Sequence, residues 1–174
     1  MDSSTTHLVG VAIPTLRELR SAVLASAEPE VAVNALREAG FAGGASIYAA
    51  FEQWMEEAGG ASASTADLPL TEFGDRAAEF FRDAGWGDVT FSQDEPEGVA
   101  IVDISGCWEG SADPSPGCQV TTGVLASFFG TIAGYPVAVL ETECCAGEAA
   151  RCRFLMGTAE MMEWHWERMQ QAED

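Results

Sequence analysis

The sequence contains no lysine, and its eight arginines face 28 acidic residues for a formal charge of −20. A chain so negative repels a phosphate backbone, which excludes direct nucleic-acid binding as an expected function. No apolar run reaches the roughly 20 residues that would cross a bilayer, so no membrane partner is expected. The first residues, Met1-Asp2-Ser3-Ser4, lack the positive charge and apolar stretch of an export signal, and the chain reads as cytoplasmic. Cysteine is absent from the first half and present five times in the second, at 107, 118, 144, 145 and 152. An odd count without an export signal argues against a disulfide framework and for thiolate chemistry or a metal.

Nearly half of the 174 residues are apolar, enough for one globular domain spanning 1–174. Helical spacing predicts a short helix over 15–27 behind Pro14 and a longer one from Pro29 to about Glu57. Gly40, Gly43 and Gly44 interrupt the second, and three glycines so close point to a break or to another backbone approaching. The approaching element would be a second copy, giving a two-fold homodimer, or the chain's own last helix. Residues 59–65 read as a small polar linker, and a third helix is expected over 71–83 with Gly85 as its stop. The period then changes to two. Strands are predicted around Val89–Phe91 and Val99–Ile104, followed by a proline loop at 113–117 and a helix over 118–133. A hairpin is expected from Val137–Glu143 and Arg151–Met156, turning at Ala146-Gly147-Glu148, with a last helix over 158–171. Helices first and antiparallel strands afterwards make an α+β fold, a helical layer packed on an antiparallel sheet.

The hairpin carries the chemistry. Cys144 and Cys152 flank its glycine-bearing turn, which brings their thiols close enough to share one ion. Zinc takes four ligands in a tetrahedron and accepts both thiolate sulfur and carboxylate oxygen. Glu141 or Glu143 could supply the carboxylate, and Cys118 a third thiolate from a helix N-terminus, where the dipole favours negative charge. In an ideal strand, residues three apart point to opposite faces, so Glu141 and Cys144 need a bulge or a strand end between them.

The order Cys118 … Gly123 … Gly134-Tyr135-Pro136-Val137 … Glu141-x-x-Cys144-x-x-Gly147-Glu148-x-x-x-Cys152-x-Phe154 resembles the four-vinyl reductase, or hydrocarbon-binding, domain family. The likeness is specific over 105–156 and extends loosely to Ala35–Gly40. That domain also forms the effector-sensing part of phenol- and xylene-responsive transcription activators. The resemblance implies a fold shared with nitric-oxide signalling domains and Golgi-tethering subunits. It also implies a Zn2+ ion held by Cys118, Glu141, Cys144 and Cys152. Cys107 and Cys145 fall outside the pattern and read as packing residues. A closed four-ligand site leaves no position for water or substrate, so the metal would be structural.

In the resembling sensors a Trp-x-x-Ser motif contacts the phenolic hydroxyl, and Trp108 and Ser111 stand in that place here. Trp108 is therefore the expected ligand contact, with Phe80, Trp86, Phe128, Phe129 and Tyr135 lining an apolar cavity. The sensors' upstream histidine has no counterpart, since the two histidines are His7 and His165. A small hydrophobic or aromatic ligand, either without a hydroxyl or larger than phenol, is the expected partner, bound by a sensor or carrier. The alternatives are an accessory role in tetrapyrrole synthesis and a dimeric protein-interaction module. No nicotinamide or flavin fingerprint is present, because Gly40-x-x-Gly43-Gly44 lies inside a helix pattern rather than after a strand.

Overall fold

A computed structural model describes residues 8–59, 68–94, 98–110, 117–145 and 149–173. The expected linker beyond Gly59 and the tip of the metal hairpin, along with His7 and Ser111, lie outside the described residues. The elements follow in the order α1 (Ile13–Ser26), α2 (Pro29–Gly59), α3 (Leu70–Asp83), β1 (Asp88–Asp94), β2 (Val99–Ser105), α4 (Gln119–Ala133), β3 (Ala138–Glu143), β4 (Cys152–Gly157) and α5 (Ala159–Glu173). The four strands form one antiparallel sheet in the order β1-β2-β4-β3. Two hairpins are thus joined along β2 and β4, and α4 carries the chain from the first hairpin to the far edge of the second.

Strand periodicity sorts the two faces. Val102 pairs with Phe154 and Ile104 with Cys152, and all four side chains are buried. Val89 and Phe91 of β1 continue the same inner face through their pairs with Ile104 and Val102. Asp103 and Arg153 pair on the outer face, where the guanidinium donates two hydrogen bonds of 2.8 Å to the carboxylate. Against the inner face lies an aromatic core from α2, α3 and α4, with Phe51, Phe81 and Phe128 almost wholly buried. Edge-to-face contacts dominate it, such as Phe81 on Phe128 at 5.2 Å between centroids and Phe51 on Phe80 at 5.4 Å. That geometry suits the ring quadrupole better than face-to-face stacking.

The glycines of α2 do not break the helix, which runs unbroken through them. They admit α4 instead. A Cβ at Gly40 would lie 2.9 Å from the Val120 carbonyl carbon, and one at Gly44 would meet Ser127. Gly123 of α4 answers from the other side, where a Cβ would stand 2.7 Å from the Phe41 amide nitrogen and nearer still to the Arg37 carbonyl oxygen. At Gly40 and Gly44 the strip on α2 is therefore filled by α4 rather than by the last helix. Gly43 faces open space.

Candidate metal centre

Two chain reversals build the centre. At Gly117 a φ of +114°, which disfavours any residue with a side chain, turns the chain into α4. The turn aims the Cys118 amide at Glu141, whose Oε2 accepts its hydrogen bond at 2.7 Å. Cys118 thus stands as the N-cap residue of α4, tied through its backbone to β3.

The second device is a bulge in β3. Glu141 pairs with Phe154 but Glu143 pairs with Arg153, so Thr142 is an extra residue in the ladder. The bulge puts Glu141 on the inner face beside buried Phe154 and sends Glu143 to the outer face. There Glu143 meets Arg151 and Arg153 at 3.6 and 3.5 Å. Of the two carboxylates left open by spacing, Glu141 alone joins the thiols. Cys144, just past the strand end, comes back toward Cys152.

As a result, one ligand atom from each of Cys118, Glu141, Cys144 and Cys152 falls within 4.8 Å of the others. The Cys118 sulfur is 3.4 Å from that of Cys152 and 4.0 Å from that of Cys144. Glu141 Oε1 is buried with no hydrogen-bond partner among the described residues, while its other oxygen is occupied. An orphaned buried carboxylate oxygen costs free energy unless a donor or a cation meets it. The proton affinities agree. Burial pushes Glu141 up, and hydrogen bonding with Cys107 pushes both Cys118 and Cys152 up. A cation among them would reverse those shifts, since a coordinated thiol is deprotonated. The residues fit a metal ion.

Cys107 is fully buried, its sulfur 3.8 Å from Cys118 and 3.9 Å from the Thr121 hydroxyl, and is the packing residue expected. Cys145 is partly exposed and its sulfur lies 3.2 Å from that of Cys152, a closer contact than packing required.

Beside the centre lies a polar network with no local sequence signal. Glu109, between Trp108 and Gly110, is buried and accepts from the Val120 and Thr121 amides at 3.0 and 2.7 Å and from the Thr121 hydroxyl at 2.6 Å. It satisfies the open N–H groups of α4 and places a carboxylate at the positive end of that helix. Burial pushes Glu109 up, against the bonds from Thr121 that pull it down. Arg20 of α1, also buried, stands 3.3 Å from Glu109 and donates to the Gly117 carbonyl and to Gln119. Arg17 donates to the Trp108 carbonyl at 2.9 Å. So α1 is latched to the start of α4, and through it to Cys118.

Of the expected pocket residues, the structure brings five into one run of rings. Trp108 meets Trp86 at 6.3 Å, Trp86 meets Phe81 at 6.0 Å, and Phe81 touches both Phe80 and Phe128, with Phe129 beyond. Trp108 and Phe80 are buried, and Trp86 and Phe129 partly so. Tyr135 is a correction. It follows the left-handed Gly134 that ends α4, is 56% exposed, and makes no ring contact with the others among the described residues. His165 sits on α5 against Trp164.

No family model matches the sequence, and no curated protein matches it. Solved structures do. The chain matches the phenol-responsive sensory domain of the transcription activator PoxR, crystallised with phenol, over 86% of its own length and 75% of that chain, at TM-score 0.61 and 18% identity. The fold is that of the PoxR sensory domain. A trafficking protein particle complex subunit 3 from Naegleria fowleri, covalently bound to palmitic acid, matches over 83% of this chain and 90% of its own, at TM-score 0.60 and 11% identity. A vinyl-4-reductase family protein from Methanocaldococcus jannaschii aligns over 86% and 96% at 17% identity, with a TM-score of 0.39. The α+β layering expected from the sequence is thus shared with a sensor domain and a trafficking subunit. No helix among the described residues is long and apolar enough to cross a membrane.

Proposed function

We propose that the chain is one zinc-stabilised domain, over 1–174, that binds a small hydrophobic or aromatic molecule as a sensor or carrier. The convergence of Cys118, Glu141, Cys144 and Cys152 carries the zinc reading. Zinc–sulfur bonds of 2.3 Å in a tetrahedron set sulfurs about 3.8 Å apart, and the sulfur of Cys118 stands 3.4 Å from that of Cys152 and 4.0 Å from that of Cys144. Bound there, the ion is a structural staple between the start of α4 and the β3–β4 hairpin. Protein purified without chelator should hold one zinc per chain by elemental analysis. Cys152→Ser should lose it together with several kcal/mol of stability, because structural zinc binding couples to folding. A clearly substoichiometric metal content would refute the assignment.

The ligand reading rests on the run of rings from Trp108 to Phe129, with Phe80 beside it, in a fold that in PoxR holds phenol. Trp108 and Trp86 are the expected reporters, and Trp108→Ala should weaken binding. The lining is apolar, so toluene or a bicyclic aromatic should bind more tightly than phenol, whose buried hydroxyl would lack a second partner at about 1–3 kcal/mol. Fluorescence titration of the zinc-loaded protein measures this, and phenol binding ten-fold tighter than toluene would overturn the pocket assignment. The domain works as a homodimer in the cytoplasm, where its free thiols stay reduced. Exposed Leu19, Val31 and Phe41 on α1 and α2 support an association through the helical layer. A monomeric mass by light scattering in moderate salt would argue against it.

A further inference from the structure

We propose that Cys145, the thiol outside the ligand set, makes the metal centre oxidant-sensitive by forming a disulfide with the ligand Cys152. Three observations converge on it. The two sulfurs are 3.2 Å apart, closer than the Cys118 sulfur lies to that of Cys152, Cys107 or Cys144. The Cys145 amide donates to the Cys152 sulfur at 3.4 Å, which holds the backbone of one against the side chain of the other. Cys145 is also partly exposed, whereas Cys107, Cys118 and Cys152 are wholly buried. An oxidant from solvent therefore reaches the cluster at its two partly exposed thiols, Cys145 and the ligand Cys144, and the sulfur best placed to resolve a product formed on Cys145 is that of the ligand Cys152.

The chemistry balances with a hydroperoxide as the two-electron oxidant. The Cys145 thiol attacks the terminal peroxide oxygen, the O–O bond breaks, an alcohol leaves (water, if the oxidant is hydrogen peroxide), and Cys145 becomes a sulfenic acid. The Cys152 thiolate then attacks the sulfenyl sulfur. The S–S bond forms as the S–O bond breaks, and hydroxide leaves. Two sulfurs have each lost one electron and the peroxide has gained both. Cys118, Glu141 and Cys144 would then be the ligands left to hold a zinc ion, one thiolate short of the full set, and a competing chelator would remove it. A thiol reductant reverses the step.

The inference rests on the zinc reading, and the experiment separates the two. Zinc content is measured first on the purified full chain and reports on the centre alone. Hydrogen peroxide is then added in the presence of a chromophoric zinc chelator, with intact mass and peptide mapping at each time point. The expected result is zinc release in step with the loss of two hydrogens and a mapped Cys145–Cys152 linkage, restored by dithiothreitol. Cys145→Ser keeps all four ligands and should bind zinc as before, but release it roughly ten-fold or more slowly. Cys107→Ala, which removes the other thiol outside the ligand set and leaves Cys145 and Cys152 in place, should release it at the unaltered rate. Equal release from Cys145→Ser, or a linkage mapped to Cys107–Cys118, overturns the proposal. Should metal analysis find no zinc, the Cys145–Cys152 linkage on peroxide treatment still decides whether the pair is a redox couple.

Discussion

Alanine at Gly123 and at Gly43 should shift stability in opposite directions, although both are interior helix positions. At Gly123 the new Cβ would sit 2.7 Å from the Phe41 amide nitrogen and closer still to the Arg37 carbonyl oxygen. Both are backbone atoms that no rotamer change can move, so α2 and α4 must separate by on the order of 1 Å. A gap of that size forfeits a quarter to a half of each dispersion contact along the interface, and overpacking of this kind costs about 3 kcal/mol. Helix propensity returns about 1 kcal/mol, leaving a net loss of about 2 kcal/mol. For a domain of this length that lowers Tm by about 4–8 °C. At Gly43 a Cβ meets nothing within 4 Å, so only the propensity term remains and Gly43→Ala should stabilise by up to about 1 kcal/mol. Urea unfolding followed by circular dichroism measures both from the midpoint at unchanged slope. Stabilisation by Gly123→Ala, or a loss at Gly43→Ala equal to that at Gly123→Ala, would refute the close approach of the two helices and return the α2 strip to another partner.

Glu109→Ala should cost about 3–5 kcal/mol, because it leaves Arg20 buried without its counter-charge and opens the first amides of α4. It should also weaken zinc retention in a chelator competition, since Cys118 caps the same helix. On the outer sheet face, hydrogen bonding from Arg153 holds Asp103 below the usual carboxylate range. A carboxylate depressed in the folded state stabilises it above its unfolded pKa, and that share is lost as pH falls through the lower folded value. Asp103→Asn should therefore destabilise by up to about 1 kcal/mol near neutrality for a partly exposed pair, with the difference shrinking as pH falls below the ordinary aspartate range. A difference that grows on acidification would contradict the sign.

Much of the chain declares itself locally. The long helix, the alternation of β1 and β2, and the Cys144–Cys152 hairpin follow from spacing, because burial on one face imposes a period of 3.6 or 2 on neighbouring residues. The spacing Cys118 … Glu141-x-x-Cys144 … Cys152 went further and called for a bulge or a strand end between Glu141 and Cys144. What spacing left open was which glutamate turns inward. Glu141 and Glu143 have the same chemistry and, in a regular strand, the same face, and only the extra Thr142 in the pairing with β4 separates them. The glycine strip was likewise legible as a surface for close approach, but its partner was not, since Gly40 and Gly123 must be brought together before either explains the other. Tyr135 reads like any aromatic beside Phe128 and Phe129 until the left-handed turn at Gly134 carries it outside. The Arg20–Glu109 pair left no sequence trace at all. Its partners are 89 positions apart, and a buried charge is stable only where the whole fold supplies its counter-charge. Periodicity records what each residue shares with its own turn or strand. Contacts across the chain are settled by packing, which no local pattern encodes.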